Sequence, residues 1–160
     1  MNQGHAQEPF DPTPTLEVIG PALVGAVPAG WYQIRCEFRG TVQIDGAQLA
    51  SVSEDGSSVR HRIPGAVMTE FDTLRSAMYR PGTGTWFTAR YVIERSGEYT
   101  IEFDYDNEPA FVPQLTPGAY LLDSEYYPRD AEHTPEWLLG MLREARGMSP
   151  SVPRSTEQKL

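Results

Sequence analysis

Two runs of strict alternation, joined by a glycine turn, constrain this chain more than any other feature. Phe87, Ala89, Tyr91 and Ile93 alternate with Thr88, Arg90, Val92 and Glu94. After Arg95-Ser96-Gly97, the set Tyr99, Ile101, Phe103 and Tyr105 alternates with Thr100, Glu102, Asp104 and Asp106. A period of two puts one residue set on each face of a strand. Two such runs around a short turn make an antiparallel hairpin with one buried face. A hairpin alone is not stable in water, so the rest of the chain must supply more sheet and a cover for that face.

The upstream sequence supplies both. Tyr32, Ile34, Cys36 and Phe38 share one face of a strand, Arg39-Gly40 is expected to turn it, and Val42 and Ile44 to begin the return. Asp55-Gly56 marks a second tight turn, after which Val59, His61 and Ile63 alternate until Pro64. Val67, Phe71, Leu74 and Met78 form one helical stripe, closed by Pro81-Gly82. Ahead of these, Thr15 is expected to cap a helix over Leu16, Val18, Ile19, Leu23 and Val27, bent at Gly20-Pro21. Downstream, Thr116-Pro117 and Thr134-Pro135-Glu136 are two helix starts, the second leading to Trp137, Leu138, Met141, Leu142 and Ala145. The expectation is an α+β fold: an antiparallel sheet of about five strands with flanking helices. The order is helix, three-strand meander, helix, β-hairpin and two C-terminal helices. Residues 15–147 are expected to be one domain, with residues 1–14 and 148–160 as tails.

Charge is concentrated rather than spread. The chain carries a net -9, and the stretch from Glu98 to Glu136 holds ten acids against one base, Arg129. Such a field disfavours nucleic acid and anionic lipid and draws basic partners. No apolar run approaches the roughly 20 residues needed to cross a bilayer. The first 15 residues hold neither a basic nor an apolar region of a secretory signal, and Cys36 stands alone, so a reducing cytoplasm is expected.

The catalytic inventory is thin. Asp104-Tyr105-Asp106-Asn107-Glu108 clusters carboxylates as divalent-cation sites do. Its usual companions are missing: no Thr two residues on, no downstream helical Lys, no Gly for a calcium loop. The only lysine is Lys159. His5, His61 and His133 have no metal-ligand spacing, and no nucleophile elbow or phosphate loop occurs. No metal and no cofactor is expected. Aromatics are plentiful, with eight Tyr and three Trp. Trp86 falls opposite Phe87 in the alternation, on the face of Asp104 and Asp106, where it is expected to be an exposed anchor for a basic partner. The residues expected at the partner face are Trp86, Glu102, Asp104, Asp106, Asn107, Glu108, Asp123 and Glu125.

Three motifs in order carry a family likeness. They are Leu74-Arg75-x-x-Met78-Tyr79-x-Pro81-Gly82-x-Gly84-Thr85-Trp86, then Gly97-x-Tyr99 with Phe103-Asp104-Tyr105-Asp106-Asn107-Glu108-Pro109, then Tyr126-Tyr127-Pro128-Arg129-Asp130-x-Glu132-His133-x-Pro135-x-Trp137-Leu138. Together they resemble the YezG-like immunity proteins of bacterial polymorphic toxin systems. The likeness covers roughly residues 15–146, and its N-terminal third matches in layout only. It implies a protein without catalytic activity that binds a cognate toxin domain and blocks its active site in the cytoplasm. Nucleases and NAD-cleaving enzymes are among such toxins. The free protein is expected to be monomeric, with alternatives in a carboxylate-cluster metal enzyme or a non-catalytic adaptor.

Overall fold

The structure, a computed structural model, describes residues 10–147. Of the tails expected at 1–14 and 148–160, residues 1–9 and 148–160 lie outside the described residues, while Thr13 and Pro14 belong to the first helix. The described chain forms an α+β fold of four α-helices and a five-stranded sheet. The order is α1 (Thr13–Gly25), β1 (Gln33–Gly40), β2 (Asp45–Val52), β3 (Ser58–His61), α2 (Gly65–Ala77), β4 (Thr88–Glu94), β5 (Tyr99–Asp104), α3 (Pro117–Tyr126) and α4 (Glu136–Gly147). A 3-10 turn, Ala131–His133, precedes α4. Every ladder is antiparallel, in the order β3-β2-β1-β4-β5. No helix among the described residues is long and apolar enough to cross a membrane.

α1 and α2 cover one face of the sheet. Leu16, Ile19 and Leu23 of α1, with Val67, Phe71 and Leu74 of α2, pack on Ile34, Cys36, Phe38, Leu49, Ala89, Tyr91 and Ile93. Burial of these apolar groups is the main stabilising term of the fold. A second cluster sits apart: Phe87, Tyr120, Leu138 and Leu142, with Trp137 against them, join α3 and α4.

Four local expectations are corrected. α1 begins at Thr13, capped by Pro12 rather than Thr15, and runs unbroken past Pro21; Val18 points to solvent. Gly20 lets the helix dock closely on the sheet. Tyr91 donates its hydroxyl to the Leu16 carbonyl at 2.7 Å, and a Cβ on Gly20 would stand 2.8 Å from that hydroxyl oxygen. The β1–β2 turn is Thr41–Ile44, because Gly40 still pairs with Asp45. The Thr41 hydroxyl accepts from the Ile44 amide at 3.1 Å, and the Thr41 amide donates to the Ile44 carbonyl at 2.8 Å. Tyr32 precedes β1 and is exposed.

The fourth correction concerns Trp86. Thr88 is the ladder partner of Asp104, yet the Phe87 amide also donates to the Asp104 carbonyl at 3.0 Å. Two residues thus oppose one, which is a β-bulge. The bulge shifts the alternation by one. Trp86 turns into the main core, fully buried at 0% exposure, and Phe87 goes to the second cluster. Trp86 meets Phe38 edge-on and Phe103 at a tilt, at 5.9 and 5.3 Å between ring centroids. It is a core residue, not a surface anchor.

Candidate protein-binding surface

Arg75, Thr85, Trp86 and Tyr127, from the first and last of the three sequence motifs, meet Asp123 at one buried hub. Arg75 lies next to Leu74 on the inner side of α2. Its Nη1 and Nη2 donate to the two Asp123 carboxylate oxygens of α3 at 2.8 and 2.9 Å. Its Nε donates to the Trp86 carbonyl at 2.6 Å, and its own carbonyl accepts from the Thr85 hydroxyl at 2.6 Å. The guanidinium also lies 5.4 Å from the Phe87 ring and 5.2 Å from that of Tyr127. Asp123 takes a third bond, from the Val42 amide at 2.7 Å. Only 3% and 6% of the two side chains are exposed. Asp123 therefore holds α2, α3 and the β1–β2 turn together and is not available to a partner.

Arg129 builds the adjoining half. It donates to the carbonyls of Thr85 and His133, both at 2.9 Å, and lies 5.0 Å from the Phe87 ring. Gly84, at φ +83°, makes room for it: a Cβ there would stand 2.6 Å from the Arg129 Cγ. Burial pushes the Arg129 pKa below its ordinary value, against the pull of Asp106 and Asp123. The group stays a cation at neutral pH. The Asp130 amide donates to the Gly82 carbonyl at 2.8 Å.

The Asp104–Glu108 loop is held from within. Asp104 accepts from the amides of Asp106 and Asn107 at 3.1 and 3.0 Å, from the Asn107 side chain, and from Arg90 at 3.3 Å. Burial pushes its carboxyl up, but the bonds from Asn107, Asp106 and Arg90 outweigh it and hold the pKa below the ordinary value. Its side chain is 10% exposed. Asn107 turns back onto it. Glu108 accepts from Gln114 at 2.8 Å, and the Asp106 carbonyl accepts from the Trp137 indole at 2.7 Å.

Of the eight residues expected at a partner face, three present exposed acids. Glu102, Asp106 and Glu125 are exposed. Asn107 is exposed but engaged with Asp104, and Glu108 is half-buried. Asp104, Asp123 and Trp86 serve the fold. The acidic field itself survives. Glu98, Glu102, Asp106, Glu125, Asp130, Glu132 and Glu136 all face outward, while the one base of that stretch, Arg129, faces inward. Seven of the ten acids of this stretch are thus exposed, and its one base is turned inward.

Other groups come together without a local sequence signal. Donor atoms of Asp130, Glu132 and His133 lie within 4.8 Å of one another, but Asp130 already bonds the His133 amide and ring. Ser51 and His61 hydrogen-bond at 2.7 Å between β2 and β3. A nucleophilic triad needs a third group to orient the imidazole, and no carboxylate bonds His61 among the described residues. Asp45 and Asp72 face each other at a polar cleft of about 230 Å³ between α2 and the β1–β2 turn. Burial, together with Asp45, pushes the Asp72 carboxyl up to about 7. A larger groove, about 630 Å³, runs between α1 and the β4–β5 turn, walled by Trp31, Tyr91 and Tyr99, with Glu17 and Arg95 at its rim. Gly20-Pro21 is its only local sign in the sequence.

No protein-family model matches the chain, and no curated protein is similar to it in sequence.

Proposed function

We propose that this chain acts by binding another protein rather than by catalysis, as an immunity protein that occupies and blocks a bacterial toxin domain made in the same cell. The observation that carries this is the acidic rim: seven exposed carboxylates along Glu98–Glu136, with their one base folded inward. Opposite charge speeds encounter, and an inhibitor of a lethal enzyme must associate fast. A nuclease or a dinucleotide-cleaving toxin needs a basic substrate groove, which such a rim can enter. The element order also agrees with the layout that the YezG-like resemblance implies. Arg75, Arg129 and Asp104 of those motifs are spent on internal bonds, so partner contact falls to the exposed acids and not to these three.

Co-expression tests the proposal. The chain should restore growth to cells expressing the toxin domain encoded beside it. Growth that stays arrested, despite stable expression of the chain, sinks the idea. Reversing Glu102, Asp106 and Glu125 to Lys should slow association and flatten its salt dependence.

A further inference from the structure

β5 is a sheet edge with no partner strand beyond it among the described residues. Two bonds establish which backbone groups it leaves free. The Phe87 amide donates to Asp104, and the Glu94 amide donates to Glu98. Even-numbered residues therefore pair with β4. By alternation, the N–H and C=O of Tyr99, Ile101 and Phe103 point away from the sheet.

The side chains of the same three residues face the core, yet all are only half-buried. Their β4 partners Ile93, Tyr91 and Ala89 are fully buried. The core is thus left uncovered along one side. On the opposite face, Glu102 stands 68% exposed, with Arg90 3.6 Å away, and Glu98 and Asp106 flank the strand's two ends. Protein edges are commonly blunted by lysine or proline. β5 has neither. The other edge, β3, is four residues long, carries Arg60, and has no residue in the main buried core.

Resting on the immunity reading above, we propose that the outer edge of β5 takes up an extended strand of the toxin domain. The incoming strand pairs with the free groups of Tyr99, Ile101 and Phe103. Its apolar side chains complete the half-covered core, and alternate basic side chains meet Glu102.

Two variants and one exchange measurement test this. Ile101→Pro removes an outward N–H that β4 does not use, and Glu102→Lys reverses the charge without touching the core. Both should weaken binding of the neighbouring toxin domain tenfold or more. Amide exchange at Tyr99, Ile101 and Phe103 should slow in the wild-type complex. If wild type binds the toxin but Glu102→Lys keeps full affinity and those amides exchange as before, the edge proposal is overturned and the immunity reading stands. If Ile101→Pro does not fold, Glu102→Lys and the exchange rates still decide. If wild type does not bind the toxin at all, the immunity reading fails. A hexapeptide of alternating Lys and Val then tests the edge: slowed exchange at the three amides supports it, and unchanged exchange overturns it.

Discussion

Arg75 and Asp123, 48 residues apart, face each other through two parallel hydrogen bonds of 2.8 and 2.9 Å, both side chains nearly sealed from water. Removing one partner strands a buried charge, which costs about 3–5 kcal/mol. Asp123→Leu should therefore unfold at much lower denaturant, losing much of the ~5–15 kcal/mol that domains of this size hold. The paired change Arg75→Met with Asp123→Leu should recover part of the loss. It should not recover all, because the Val42 amide and Trp86 carbonyl lose their partners too. Denaturant titration of the two singles and the double measures the coupling. Additive losses would show that the two residues act independently.

The hub also explains what could and could not be read from the chain. The hairpin, the meander, both early helices and both late ones follow from alternation, stripes and Thr-Pro starts, since these are local signals. Alternation puts Trp86 on the wrong face because a bulge at Phe87 shifts the phase, and a bulge leaves no mark in a period-two pattern. Asp123 counts as one more acid in a linear tally. Its spacing from Ala119 and Tyr120, however, puts it on the buried side of α3, a helical clue that was available. That its counter-ion is Arg75, on α2, is a tertiary fact that no local pattern carries. Nor does any pattern place Asp45 beside Asp72, or leave the far side of β5 bare.

Gly84 is a case where backbone and packing agree. Its φ of +83° is strained for any L side chain, at about 1–2 kcal/mol. A Cβ would also press on the Arg129 Cγ and Nε, at 2.6 and 2.8 Å. Gly84→Ala should destabilise by about 2 kcal/mol or more and loosen the Arg129 bonds to Thr85 and His133. The readouts are a lower Tm and faster exchange of the amides around Arg129. An unchanged Tm would mean that this turn is less constrained than its geometry indicates.

Asp72 gives the stability a specific pH dependence. Its folded pKa of about 7 lies above the ordinary 3.8, because burial and the Asp45 carboxyl both oppose ionisation while Arg75 only partly compensates. The folded state therefore holds the proton more tightly. That contribution is complete below about pH 4 and is lost as pH rises through about 7. Asp104 works in the opposite sense: its lowered pKa stabilises above the ordinary value and fades in acid. Comparing wild type with Asp72→Asn isolates the first effect. The Tm of wild type should fall relative to the variant between pH 5 and 8. Asp72 itself is exposed, so solvent screening keeps this to a modest slope. Parallel Tm curves would refute the raised Asp72 pKa.

Tyr120 is buried to 1% exposure, and its hydroxyl is a buried side-chain group with no hydrogen-bond partner among the described residues. Burial pushes its phenol pKa up, with Glu108 and Asp123 adding to the shift. An unmade bond on a buried hydroxyl costs about 1–3 kcal/mol. The ring itself contributes in full, edge-on to Phe87 at 5.9 Å and to Trp137 at 5.3 Å. Tyr120→Phe keeps both ring contacts and removes the orphaned group. The variant should be more stable by about 1 kcal/mol, with toxin binding unchanged, because the residue lies inside the second cluster and off the acidic rim. A loss of ~1 kcal/mol instead would mean that the hydroxyl holds an ordered water, and that water would then be part of how α3 and α4 join the sheet.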